Sequence, residues 1–374
     1  MRSKVFMVLI FCAIFGASGW VLLRRAKHPY KIEPIELKHS NYSKANAAVL
    51  NIGVLYWSMN IPAQVAMRKG LEEEAGHLNQ AAHNIKKPVI KLLTYVAGDG
   101  ELGMNNQIQQ MRDLIKKRVD LIIVQPTDNA ALAQPLREAN RAGIPVVAYD
   151  QYISGGELAA YRTSDNYQAG YLGGEYISSR FPDDKEIRVI LVEYPHVSST
   201  VERTDGFRDS MAELHQGYKI LKTYTAVEPI SGKKAAKDIL HDYPEKASVD
   251  VIFTVNDGGG LSVVKGLADA GRKEILVATT DGDPASVKNI KNGCLTVIDS
   301  AQFCGPLGAE AMKTSYALLT GGKPPYYALV PVFPITRETM SIYPGWQGPV
   351  PHDFKKPWKS KQPDWQSKLK IIKQ

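Results

Sequence analysis

The chain predicts an α/β fold of two doubly wound parallel-sheet lobes. Three observations carry that expectation. Short Val/Ile/Leu-rich runs recur between residues 49 and 320, and each is followed by a longer stretch with apolar residues three and four apart. The runs are continuously apolar, as expected of strands buried on both faces of a parallel sheet. Nine such runs are too many for one sheet of this span, and 374 residues suit two domains better than one.

In order, the runs are Val49–Trp57, Pro88–Ala97, Asp120–Val124, Ile144–Tyr149, Ile187–Glu193, Tyr218–Thr225, Val249–Thr254, Ile275–Thr279 and Leu295–Asp299. Ala63–His77 and Met104–Lys117 are examples of the helical stretches between them. Before the first strand, Val5–Leu23 is nineteen residues without a charge, bracketed by Arg2 and Lys4 and by Arg24 and Arg25. It reads as an export segment, residues 1–25, either a cleaved signal peptide or a retained membrane anchor. Residues 26–48 form a polar, Pro-containing linker.

Charge excludes one class of partner. The net charge is +8, but residues 1–38 carry seven Lys/Arg against two Glu, and residues 344–374 seven Lys against two Asp. The stretch between them keeps −2, which argues against a nucleic-acid-binding face on the folded body. Three Cys are too few for a disulfide scaffold or an all-cysteine zinc site. Cys294 and Cys304 flank the ninth strand and are read as free thiols. No metal or cofactor motif stands out. Gly98-Asp99-Gly100-Glu101-Leu102-Gly103 spells a dinucleotide fingerprint, but it follows the second strand and carries two acids that would repel a pyrophosphate. It is read as a turn. No nucleophile–base pair points to an enzyme.

Ligands of doubly wound sheets sit at the carboxyl ends of strands. Here those ends carry Tyr56, Trp57 and Asn60 after the first strand, and Asp150 and Gln151 after the fourth. Tyr194 follows the fifth, Asn256-Asp257 the seventh, Asp281 the eighth and Gln302 the ninth. Carboxylates and amides suit hydroxyl groups, and aromatic faces suit the C–H edges of a ring. The competing reading is that these Asp and Asn residues only cap the next helix.

Several ordered stretches go further. They are Val124-Gln125-Pro126-Thr127-Asp128-Asn129-Ala130, Gly143-Ile144-Pro145-Val146-Val147-Ala148-Tyr149-Asp150, Thr163-Ser164-Asp165-Asn166, Glu202-Arg203 with Asp205-Gly206-Phe207, Val255-Asn256-Asp257 and Thr280-Asp281-Gly282. With them the chain, over residues 49–340, resembles the type I periplasmic sugar-binding proteins, the ribose- and galactose-binding family. The resemblance implies two lobes joined by a three-segment hinge: residues 49–163 with 303–330, and residues 164–302 with 331–343. It implies a ligand-binding set of Tyr56, Trp57, Asn60, Asp150, Gln151, Asn256, Asp281 and Gln302 around a sugar-like small molecule. Two departures from the ribose pattern are Gln151 and Val201, each where an Arg is expected, and Arg203 is expected to pair with an acidic neighbour.

The implied partner is the membrane permease of an ABC importer, in the periplasm. The alternative is a membrane sensor protein that reads the closed form. The basic, Trp-rich tail, residues 344–374, is read as a packing strap over one lobe or a docking arm.

Overall fold

The computed structural model describes residues 42–85, 87–214 and 216–372. The apolar run Val5–Leu23 lies outside them. The chain first lays down β1 (Val49–Tyr56), α1 (Pro62–Ile85), β2 (Val89–Val96), α2 (Gly100–Lys116), β3 (Leu121–Val124), α3 (Ala133–Arg141), β4 (Val146–Tyr149) and β5 (Ala160–Ser164). A second series follows: α4 (Asn166–Ser178), β6 (Ile187–Glu193), α5 (Ser198–Glu213), β7 (Tyr218–Thr225), α6 (Pro229–Asp242), β8 (Val251–Thr254), α7 (Asp257–Asp269), β9 (Leu276–Asp281), α8 (Pro284–Asn292) and β10 (Thr296–Ala301). Then come α9 (Cys304–Leu319), β11 (Tyr327–Val330), β12 (Phe333–Ile335), β13 (Phe354–Lys355), β14 (Asp364–Trp365) and β15 (Lys370–Ile372).

Two large sheets result, ordered β15-β11-β5-β4-β3-β1-β2 and β12-β10-β9-β8-β6-β7, with β13 and β14 as a separate two-stranded pair. Their inner pairings are parallel, and only β15 and β12 join antiparallel, at the edges. The chain crosses between the sheets after β5, after β10 and between β11 and β12. Strands β3, β4 and β8 are buried at every position, as their unbroken apolar runs require.

Strand β5, Ala160-Tyr161-Arg162-Thr163-Ser164, has no apolar run, and sequence reasoning passed over it. It survives in the sheet because the Arg162 guanidinium makes four hydrogen bonds, at least one from each nitrogen. It donates to Thr314 Oγ1 at 2.9 Å and to the carbonyls of Tyr161, Tyr326 and Pro325 at 2.8, 3.1 and 2.6 Å. Helices α4 and α5 touch through glycines: a Cβ on Gly170 would stand 1.8 Å from the Arg203 carbonyl oxygen. That close approach fixes where Arg203 enters the cleft. Cys294 and Cys304 are unbonded.

The tail lies on both lobes and not on one. Strand β15 pairs with β11 in the first sheet. Lys356 forms a 2.7 Å ion pair with Glu175 of α4, both side chains being at most 2% exposed. Trp358 Nε1 also donates to Glu175, at 3.0 Å. Trp365 packs edge-on against Phe333 of β12 and donates to the Val332 carbonyl at 2.7 Å.

Candidate functional site

The ends of β1, β3, β4, β9 and β10 and the first turn of α5 converge between the lobes. Asp150 follows β4 in the left-handed region, φ 64°, which aims its side chain into the cleft. Its Oδ2 accepts from Gln125 Nε2 at 2.9 Å, while Oδ1 is buried without a partner. Burial pushes the Asp150 carboxyl above its ordinary range, against the pull of Arg203.

Asp281 closes β9 at φ 126°. Its Oδ1 accepts from Arg203 Nη1 at 3.0 Å and from Gln302 Nε2 at 2.7 Å. Burial raises this carboxyl to about 6, again opposed by Arg203. Gln302 is held in turn by Ser164 Oγ, which donates to its Oε1 at 2.7 Å. Arg203 also donates to Asn166 Oδ1 at 3.0 Å and to the Val255 carbonyl at 2.7 Å. The guanidinium is thus a fixed strut within the cleft, bonded to the Asp281 carboxylate and close enough to Asp150 to act on its charge.

Trp57, Asp150, Gln151, Arg203, Asn256, Asp281 and Gln302 line one cavity, with Gln64, Met67, Ser199 and Thr200. The lobes are closed around it. Ser199 N donates to Gln151 Oε1 at 3.2 Å, Asn129 N to the His196 carbonyl at 3.2 Å, and Ser198 N to Asn129 Oδ1 at 3.1 Å. At the mouth, the rings of Trp57 and Tyr194 face each other from opposite lobes, 6.3 Å between centroids. In this closed form the cavity is small, about 20 Å³, room for one or two waters. A ligand of sugar size enters only when the lobes part.

Two expected site residues lie elsewhere. Tyr56 is fully buried on the other face of β1, donating to Glu72 at 3.1 Å beneath Arg68. Successive strand side chains point to opposite faces, so only one of Tyr56 and Trp57 can face the cleft. Asn60 is exposed at the rim, its amide tied to Asp99 at 2.6 Å. Asp257 is also withdrawn: its carboxylate accepts from Thr279 Oγ1 at 2.9 Å and Asp283 N at 2.8 Å inside the second lobe.

Asn256 lines the cavity yet spends both ends locally. It caps α7 by accepting from Gly259 N at 3.1 Å and donates to the Val227 carbonyl at 2.9 Å. Gln151 stands where an Arg was expected and joins the lobes instead. Arg203, which sequence reasoning set aside, is central, and the Glu202-Arg203 stretch was the signal that marked it. Gln125 was also missed. It receives Trp57 N on its Oε1 at 3.4 Å and so couples β1 to Asp150.

A family model described as "Periplasmic binding protein domain" matches residues 52–323. The chain is 26% identical over 273 residues to the ribose import binding protein of Escherichia coli (strain K12), covering 73% of this chain and 86% of that one. Among solved structures it is similar to a solute-binding protein from Actinobacillus succinogenes 130z with bound D-allose (TM-score 0.66, 24% identity, 79% of this chain and 100% of that one). It is also similar to one from Bacillus halodurans C-125 with bound myo-inositol (TM-score 0.68, 23% identity, 79% and 97%).

Proposed function

This chain belongs to the periplasmic binding protein family, and from that premise we propose that it captures a neutral monosaccharide or a polyol of like size between its lobes and presents it to the membrane permease of an ABC importer. One observation carries the choice of ligand. Asp150 Oδ1 is a buried acceptor without a donor, facing the cavity. A hydroxyl supplies that donor, in a charge-assisted bond. A second carboxylate, Asp281, borders the same space, and the one guanidinium there is already bound to it. A phosphate or carboxylate ligand needs cationic donors facing it, and this cavity offers it two carboxylates instead.

Trp57 supports the same reading, because its flat apolar face borders the cavity beside the polar groups. The matched ribose relative is named for import, which favours the importer over the sensor. The run Val5–Leu23 supports export, with the body held near the inner membrane if the run is retained.

A thermal-shift screen tests the ligand. D-ribose, D-allose and myo-inositol should include at least one that stabilises the protein, by about 2.7 kcal/mol at a hundredfold excess over its dissociation constant. Sugar phosphates and amino acids should give no shift. A shift with anionic ligands alone would overturn the assignment. Mass spectrometry of the mature N-terminus separates a cleaved signal from an anchor.

A further inference from the structure

Two adjacent tail residues, Trp346 and Gln347, each hold a different lobe beside the cleft. Trp346 Nε1 donates to the carbonyl of Asp281 at 2.6 Å, on the second lobe. Gln347 Nε2 donates to the carbonyl of Ala66 at 2.9 Å, on the first lobe. Between the two side chains, the Trp346 carbonyl accepts from Gly305 N at 2.9 Å, at the start of α9. Ala66 sits in α1 between the cavity residues Gln64 and Met67, and Asp281 is itself a cavity residue.

We propose that Trp346 and Gln347 form a latch that holds the lobes closed in the absence of ligand, and that Trp346 is a positioning residue for Asp281. Asp281 needs the second role because its backbone, at φ 126°, lies where a residue with a Cβ is strained. The Trp346 bond and the Gln302 N–H, 3.0 Å away, both grip that residue's carbonyl oxygen. With Asp281 so held, its carboxylate meets Arg203 and Gln302 in the geometry described above.

The rest of the tail keeps the latch in place. Downstream of it, Lys356, Trp358 and Ser360 close around Glu175 of α4. The chain then returns to the first lobe as β15, and Lys370 reaches Asp165 at 3.2 Å beside the hinge. The segment therefore spans both lobes twice. Parting the lobes must release one end of the Trp346-Gln347 pair. Since the closed cavity has room for only one or two waters, that release precedes ligand entry.

Amide hydrogen exchange on the full chain without ligand tests this, so the outcome is independent of what the cleft binds. The cross-cleft amides Asn129, Ser198 and Ser199 are bonded only while the lobes are closed. Their exchange reports the open population. Gln347→Glu keeps the shape and removes the donor, and Trp346→Phe keeps most of the ring and removes Nε1–H.

Each change should speed exchange of these three amides about three- to tenfold, the worth of one hydrogen bond. The amides of core strands β6 and β8 should be unchanged. The double variant should exceed either single one. Unchanged cross-cleft exchange in the double variant would overturn the proposal. Equal acceleration in β6 and β8 would also overturn it, because the residues would then support the fold in general.

Discussion

Asp150→Asn separates what the cleft does for stability from what it does for binding. Asn is chosen over Ala because the residue sits at φ 64°, a region Asn tolerates and a Cβ-bearing apolar residue does not. The Asn carbonyl still accepts from Gln125, so the local frame persists. What disappears is a buried carboxylate with one unpartnered oxygen, 3% exposed. An unsatisfied buried polar group costs about 1–3 kcal/mol, and the neutral amide recovers a part of that. The unliganded variant should melt at or above the wild-type temperature, with a gain of about 1 kcal/mol.

Binding should move the other way. Losing one charge-assisted bond of about 1.5–3 kcal/mol raises the dissociation constant roughly 10- to 150-fold. At a ligand concentration a hundred times the wild-type constant, wild type gains about 2.7 kcal/mol. The variant gains only about 0.3–1.4 kcal/mol at that concentration. Differential scanning calorimetry with and without the sugar found by screening reads both numbers on one sample. A variant with a lower unliganded melting temperature and an intact ligand shift would refute the reasoning, since Asp150 would then serve the fold and not the ligand.

Three further outcomes are expected. Lys356→Met leaves the buried Glu175 carboxylate with the Trp358 and Ser360 donors but no counter-charge and should cost about 3 kcal/mol, most of it restored in the Glu175→Gln/Lys356→Met double variant, as read by denaturant unfolding. Burial raises the carboxyls of Asp281 and Asp299 to about 6 and about 7, so the folded protein holds protons that the unfolded chain releases from about pH 4 upward. Stability should fall as pH rises from about 4 to 8, the upper part of the fall coming from Glu202, whose carboxyl is raised to about 8 by burial. Asp299 Oδ2 has no donor, and its Oδ1 accepts from Gly282 N at 2.9 Å, so Asp299→Asn keeps that bond, flattens the fall and raises the melting temperature at pH 8. Trp57→Ala should weaken sugar binding about tenfold by titration calorimetry, from lost stacking and burial, and leave the Asp281–Arg203 pair in place.

The expected strands were legible because their physics is local. A strand buried on both faces must be apolar along its whole length, and Leu121–Val124 and Val251–Thr254 announce that without reference to anything distant. The strand-end position of Asp150 and Asp281 was legible for the same reason, since a polar residue ending such a run falls at the rim of the sheet. Tertiary structure decided the rest, because the partners lie far apart in the chain. Arg162 occupies a central strand only because Thr314 and the carbonyls of Pro325 and Tyr326 come to meet it. Trp57 and not its neighbour Tyr56 faces the cleft because β1 has α1 on one side, where Glu72 takes the Tyr56 hydroxyl. Arg203 reaches Asp281 across 78 positions because two helices meet at glycines. The tail's role was the least legible: Trp346 and Gln347 carry no pattern of their own, and their partners, Asp281 and Ala66, lie 65 and 281 positions away. Burial along a strand is written in consecutive residues, whereas a bond between lobes exists only once both lobes have folded and closed.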